Sequence, residues 1–166
     1  MRLPALSLTQ PWASLVALGI KSCETRSWPT RVQGRIAIHA AKGYPGWAKE
    51  FREDLQEDRG IALLDPLPLG SIVAVARLLR CDSTNDPMAI PTDPIEQECG
   101  DYSPDRFVFR LGNVVSLTTP IPIRGALGFW PVPDDVIAEI GRQIGPKSSH
   151  PLGGSAPQTH QEEFVL

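Results

Sequence analysis

The sequence predicts an α+β domain, a small β-barrel of short strands with flanking helices, and three observations carry that prediction. Short apolar stretches separated by turn residues recur along the chain, the strongest being Ser71 to Arg80, rich in valine and isoleucine. Three segments instead show helical spacing. Apolar content of 42% and charge of 21% in 166 residues suit one soluble domain with a real core, and the length is too short for two comfortable ones. Closing so small a set of strands into a barrel removes the edges that it would otherwise expose.

Taken in order, Thr9 is placed to cap a short helix that holds Gln10 and Pro11 in its first turn. Trp12, Leu15 and Val16 form its apolar stripe, and Gly19 is a natural stop. Ile20 to Trp28 reads as a strand. A period of two puts Glu24, Arg26 and Trp28 on one face, with Lys21, Cys23 and Thr25 on the other. Arg35 to Ala41 reads as a second strand, with Ile36 and Ile38 facing one way and Ala37 and His39 the other. A helix from about Gly46 to Asp58 carries Trp47, Phe51 and Leu55 at spacing four, which predicts one buried stripe.

Pro66 to Pro68 with Gly70 is a turn before the Ser71–Arg80 strand. Cys81 to Pro104 is acidic, rich in proline and without a period, the pattern of a lid or a mobile loop. Arg106 to Leu111, Val114 to Thr118 and Ile121 to Arg124 look like further strands, followed by Gly125-Ala-Leu-Gly-Phe-Trp130. Pro133-Asp-Asp opens a last helix with Ile137, Ile140 and Ile144 at helical spacing. The domain is expected over residues 2–144. Residues 145–166 are rich in Pro, Ser, Gly, His and Gln and are expected to be a disordered tail.

Cys23, Cys81 and Cys99 form no CxxC or Cys/His cluster, which argues against a disulfide framework or a zinc site and suits a reducing cytosol. No run approaches a membrane span, and the start lacks signal-peptide features, so a cytoplasmic protein is expected. Nothing calls for a metal or a cofactor. The net charge of -3 conceals an asymmetry. Seven basic residues against Glu24 and Glu50 lie between Lys21 and Arg52, whereas residues 81–105 hold seven acidic residues and no basic one.

Leu-Ser-Leu-x-Gln-Pro-Trp-Ala from Leu6, Gly-x-Lys-x-x-Glu-x-Arg-Ser-Trp from Gly19, Ile36-x-Ile-His-Ala-x-Lys42 and Gly125-x-x-Gly-Phe-Trp130 together resemble the ASCH domain, a member of the PUA-like superfamily of small pseudo-barrels. The resemblance spans roughly Arg2 to Val132. It implies a PUA-like barrel and RNA or other nucleic-acid binding in a cleft beside it. Some small bacterial members are hydrolases, amidohydrolases on acetylated cytidine or ribonucleases. In the amidohydrolase-like members a threonine nucleophile follows the Gly-x-Lys lysine by three residues. That position is Glu24 here, and Thr25 faces the other way on a regular strand, so that mechanism does not transfer by simple matching.

Lys21, Glu24 and Arg26 have two readings. One is an ordinary strand-edge ion pair with a solvated lysine. In the other, Arg26 and Lys21 grip a phosphate or base edge while Glu24 orients Arg26 or accepts from an exocyclic amine. Trp28, beside Pro29 and a basic loop, is a candidate stacking surface, while Trp12 and Trp47 are expected in the core and Trp130 is open between core and platform. His39 is either a satisfied structural group or, if it shares a cleft with Lys21 and Glu24, an acid or base near neutral pH. Lys42, Arg31 and Arg35 are candidate phosphate contacts, and Ser27 and Ser7 are possible donors.

Three functional expectations follow. The first is an RNA or nucleotide-like ligand held by Lys21, Glu24, Arg26, Ser27, Trp28, Arg31 and Lys42. The second is a hydrolase of a modified nucleoside or RNA, with Lys21, Glu24 and His39 as catalytic groups. The third is a protein partner met through the acidic 81–105 segment.

Overall fold

The computed structural model describes residues 3–145. Eleven segments of regular structure lead to one mixed sheet, with strands β1 (Pro4–Leu8), β2 (Cys23–Arg26), β3 (Gly34–Ala40), β4 (Ser71–Ser83), β5 (Phe107–Pro122) and β6 (Phe129–Pro131). Four α-helices accompany them: α1 (Trp12–Ala17), α2 (Gly46–Arg59), α3 (Pro94–Glu98) and α4 (Asp134–Ile144), besides a 3-10 turn at Pro87–Ala89. The strand order β2-β5-β4-β3-β1-β6 makes a half-barrel with β2 and β6 at its edges, so the α+β class holds while the described strands stop short of full closure. Among the described strands only β1 and β3 run parallel; the other pairs are antiparallel.

Alternation sorts the side chains into two cores. Leu6, Leu8, Ile36, Ile38 and Phe109 pack with Ala13 and Val16 of α1 on one face. Ala5, Ala37, Ile72, Val75 and Trp130 pack with Ile140 of α4 on the other. Helix α4 lays its isoleucines on the sheet, with Asp134 and Asp135 in its positive first turn and Arg142 in its last. Cys23, Cys81 and Cys99 are all free thiols. No helix among the described residues is long and apolar enough to cross a membrane.

The local departures from expectation have identifiable causes. Pro11, not Thr9, holds the cap position of α1, and the buried Gln10 does the capping, its Oε1 accepting from Ser14 N at 3.1 Å. Spacing of four drifts by about 40° per step around a helix. The inward residues of α2 are therefore Ala48 and Leu55 with half-buried Phe51, and Trp47 swings out to 60% exposure instead of joining the core. The three expected strands from Arg106 to Arg124 are one long β5, because Asn113 takes a left-handed φ of 48° and bends the strand without ending it.

The acidic stretch after Cys81 is folded onto the body rather than being an unstructured lid. Cys81–Ser83 belong to β4, Asp86 and Asp93 cap the two short helical turns, and Glu96 is buried. Asp82, Glu98 and Asp101 pair with Arg80, Arg59 and Arg106. The tail expected over residues 145–166 lies, but for Gly145, outside the described residues.

Candidate functional site

The polar residues of the opening motif fall into two clusters. In the first, Lys21 is 1% exposed, among the most deeply buried large side chains of the molecule. Its ammonium donates to the Cys23 carbonyl and lies 3.9 Å from both Glu24 Oε2 and Glu96 Oε2. Glu96 also closes the β2 edge: Oε1 accepts from the Ser22 backbone N–H and, at 2.6 Å, from the Ser22 hydroxyl, while Oε2 accepts from Cys23 N at 3.3 Å. Two carboxylates thus compensate one buried cation, as burial demands. The expected solvated or ligand-gripping Lys21 is replaced by a buried support beneath Glu24. Glu24 Oε1 in turn meets Arg26 Nη2 at 3.1 Å, and the same nitrogen donates to the Ser7 carbonyl at 2.8 Å. Arg26 Nε is buried and finds no acceptor among the described residues.

The second cluster is neutral. Ser7 on β1 and His39 on β3 are register partners, and Ser7 Oγ stands 3.0 Å from His39 Nδ1. His39 Nε2 is 3.0 Å from the Ile123 carbonyl, a contact that requires the proton on Nε2 and leaves Nδ1 as the acceptor of the Ser7 proton. Trp130 Nε1–H donates to Ser7 Oγ at 3.1 Å, and the Ala126 carbonyl lies 3.1 Å away as a second acceptor for the one hydroxyl proton. Burial lowers the His39 pKa below its usual 6.5, opposed by the Ile123 hydrogen bond. Gly125 sits against this pair. A Cβ there would come within 2.6 Å of His39 Nδ1 and 2.8 Å of Ser7 Oγ.

Register places this cluster where it is. The β3–β4 pairing slips at the Ile38/His39 step, with Val73 the extra residue on β4, and such irregularities re-aim side chains. The two glycines of the Gly125–Trp130 motif serve different ends. It is the Ser7–His39 pair that Gly125 approaches, whereas Gly128 serves its left-handed φ of 65°.

Two cavities meet over these clusters. One of about 1070 Å³ lies over His39 and Ser7 and is walled by Lys42, Arg124 and Ala126. The other, about 510 Å³, is walled by Trp12, Trp47, Glu24, Thr25 and Arg26. They share Ser7, Ala41 and Leu127, and Leu127 stands 98% exposed between them. Trp12 is stacked on Phe51 with centroids 4.9 Å apart and donates to the Cys99 carbonyl at 2.7 Å; exposed Trp47 tilts against it at 5.6 Å.

Of the candidate ligand and catalytic residues expected from the sequence, Ser7, Glu24, Arg26, His39 and Lys42 reach this double cavity. Trp28 does not: it lies in the bend past the end of β2, and its ring is packed edge-on to Phe109 and Phe129, at 5.2 and 5.8 Å, against the core. Exposed Ser27 lies outside both cavities. Arg31 and Arg35 wall a separate cavity beside α4. Glu96, Arg124 and the exposure of Trp47 were missed. Ser7 was undervalued, although a polar residue at the same place in Leu-Ser-Leu and Ile-His-Ala points to pairing across two strands. Among the described residues, no group of three or more His, Cys, Asp or Glu could hold a metal ion.

The family model for the ASCH domain matches residues 6–98. Activating signal cointegrator 1 from Homo sapiens is 34% identical over 129 residues, 75% of this chain and 21% of the relative; the Mus musculus protein is 33% identical over the same shares. The chain therefore spans about a fifth of the length of these curated relatives. The crystal structure of an ASCH protein from Zymomonas mobilis superposes with a TM-score of 0.54 at 15% identity, covering 85% of this chain and 94% of that one. A single-residue variant of it gives 0.54 and 15%, with 86% and 98% covered, and these two likenesses concern the fold alone.

Proposed function

The chain belongs to the ASCH family, and on that footing we propose that it binds RNA or a nucleotide-like ligand in the double cavity around Ser7. The observation that carries this reading is the division of labour across Leu127. Lys42 and Arg124 put two cations in the wall of one cavity, and Trp12, Trp47 and Glu24 put aromatic faces and a carboxylate in the wall of the other. A phosphate suits the first chemistry, and a base with an exocyclic amine suits the second. Stacking on Trp47, in place of the Trp28 platform expected from sequence, contributes about 1–3 kcal/mol.

Titration calorimetry with each of the four ribonucleoside monophosphates tests the reading. Wild type binds at least one of them, and replacing Lys42 and Arg124 together by alanine weakens it about tenfold or more, the loss of a charge-assisted hydrogen bond. No heat with any of the four, or equal affinity in the double variant, overturns it.

A second reading, hydrolysis of a modified nucleoside, draws on Glu24. Its carboxylate is set in the cavity wall by Lys21 and Arg26, as a general base must be. Turnover of acetylated cytidine, abolished in Glu24→Gln, is the expected result; intact substrate after incubation with abundant pure protein removes this reading.

A further inference from the structure

Arginine pairing separates one patch from the rest of the surface. Seven of the eleven described arginines lie within 4 Å of a carboxylate. The other four, Arg31, Arg35, Arg77 and Arg124, are exposed and without a partner among the described residues. Arg124 belongs to the Ser7 cavity. The remaining three gather elsewhere. Arg35 on β3 and Arg77 on β4 are direct partners across the antiparallel ladder, so their side chains leave the same face side by side. Like charges directly opposite destabilise a sheet pair, and no carboxylate of the described residues pairs with either. Arg31 joins Arg35 in the wall of a cavity of about 860 Å³ that also includes Leu3, Val32, Ile137 and Ile140. The carboxylate of Glu139 on α4 is already engaged by Arg142 and Gln143.

We infer that Arg31, Arg35 and Arg77 form a second binding surface, for the phosphodiester backbone of a single-stranded nucleic acid, with the apolar recess beside them receiving a base or sugar. Guanidinium forks engage phosphate oxygens two at a time, and two forks on neighbouring strands offer donors to one phosphate or to consecutive ones. An apolar recess flush with the cations suits a ligand that alternates charge with flat apolar rings. This surface is distinct from the Ser7 cavity. It lies by the beginnings of β1 and β3, four residues and about 13 Å along β3 from His39. A ligand long enough to use both surfaces must be an oligomer, whereas a mononucleotide uses the cavity alone.

The test is fluorescence anisotropy of a labelled oligouridylate over a range of salt concentrations, with wild type and the double variant Arg35→Gln, Arg77→Gln. Both positions are exposed, so the fold is retained, and circular dichroism checks it. Each phosphate contact contributes about 0.7 to the slope of log affinity against log salt for a single strand. The double variant therefore binds several-fold more weakly, with a slope shallower by about 1.4. Its mononucleotide affinity is unchanged. An unchanged slope and affinity overturn the inference, as does a wild type that binds no oligouridylate. Equal binding of polyglutamate, lost in the same variant, overturns the nucleic-acid assignment in favour of an acidic protein partner. If mononucleotides fail to bind while the slope still falls, the cavity reading fails and this surface stands.

Discussion

The Lys21 cluster and the Ser7 cluster begin within the same opening motif, and they solve the burial of polar groups in opposite ways. Lys21 is charged, and its compensation arrives from far along the chain, through Glu96 on α3. Ser7 and His39 are neutral, and their partners are hydroxyl, indole and backbone carbonyls brought close by a glycine. The first cluster is held by Coulomb attraction where water is excluded, so removing one member exposes the others to the full penalty of an unpaired charge. The second is held by hydrogen bonds and tight packing, so its failure costs less and is local. The charged cluster secures the β2 edge beneath Glu24, and the neutral one secures the 125–128 turn that shapes the cavity mouth.

Glu96→Ala is the sharpest way to break the comparison. It leaves Lys21 with Glu24 alone and strips acceptors from the Ser22 and Cys23 backbone. A loss of about 3–5 kcal/mol is expected, the scale for breaking a buried pair from one side. Urea denaturation measures it, and a loss below about 1 kcal/mol, the scale of an exposed pair, would sink the view that this cluster is a buried ionic core.

Gly125→Ala tests the neutral cluster at a smaller scale. The added methyl has to displace His39 or Ser7, and overpacking of this kind costs about 1–3 kcal/mol. The change should also be felt locally, as a shift of the Trp130 indole N–H resonance, since that group donates to Ser7. Unaltered stability and an unmoved resonance would mean that the turn is not packed on the pair.

The two clusters were unequally legible. Lys21, Glu24 and Arg26 stand within one short stretch, so the sequence could place three charges together; which of them is buried depends on Glu96, 75 residues beyond Lys21 in a stretch with no period. Capping aspartates and short helical turns give little periodic signal, which is why that stretch read as a loop. The faces of β3 and the isoleucine stripe of α4 were plain because alternation and helical spacing report burial directly. Trp28 and Trp47 exchanged roles for separate reasons: Trp28 lies past the end of β2, where the period of two no longer holds, and the rotation of α2 turns Trp47 away from the core. No local pattern of the chain fixes that rotation.

The smallest expected effect is one of pH, and it sets the neutral cluster against the charged one. Because burial holds the His39 pKa below 6.5, the unfolded chain takes up that proton before the folded one does. The contribution of His39 to stability is therefore whole above pH 6.5, declines as pH falls through that value, and levels off once the folded ring is itself protonated. The decline is limited by the network itself. A charged ring donates from Nδ1 to Ser7 Oγ and releases the hydroxyl proton to the Ala126 carbonyl, so every polar atom keeps a partner. Urea midpoints at pH 7.5 and pH 5 should fall further for wild type than for His39→Gln, and a ring resonance followed by NMR should titrate below 6.5. A ring that titrates above 6.5 would show that hydrogen bonding outweighs burial, making His39 a buried cation like Lys21 and erasing the distinction between the two clusters.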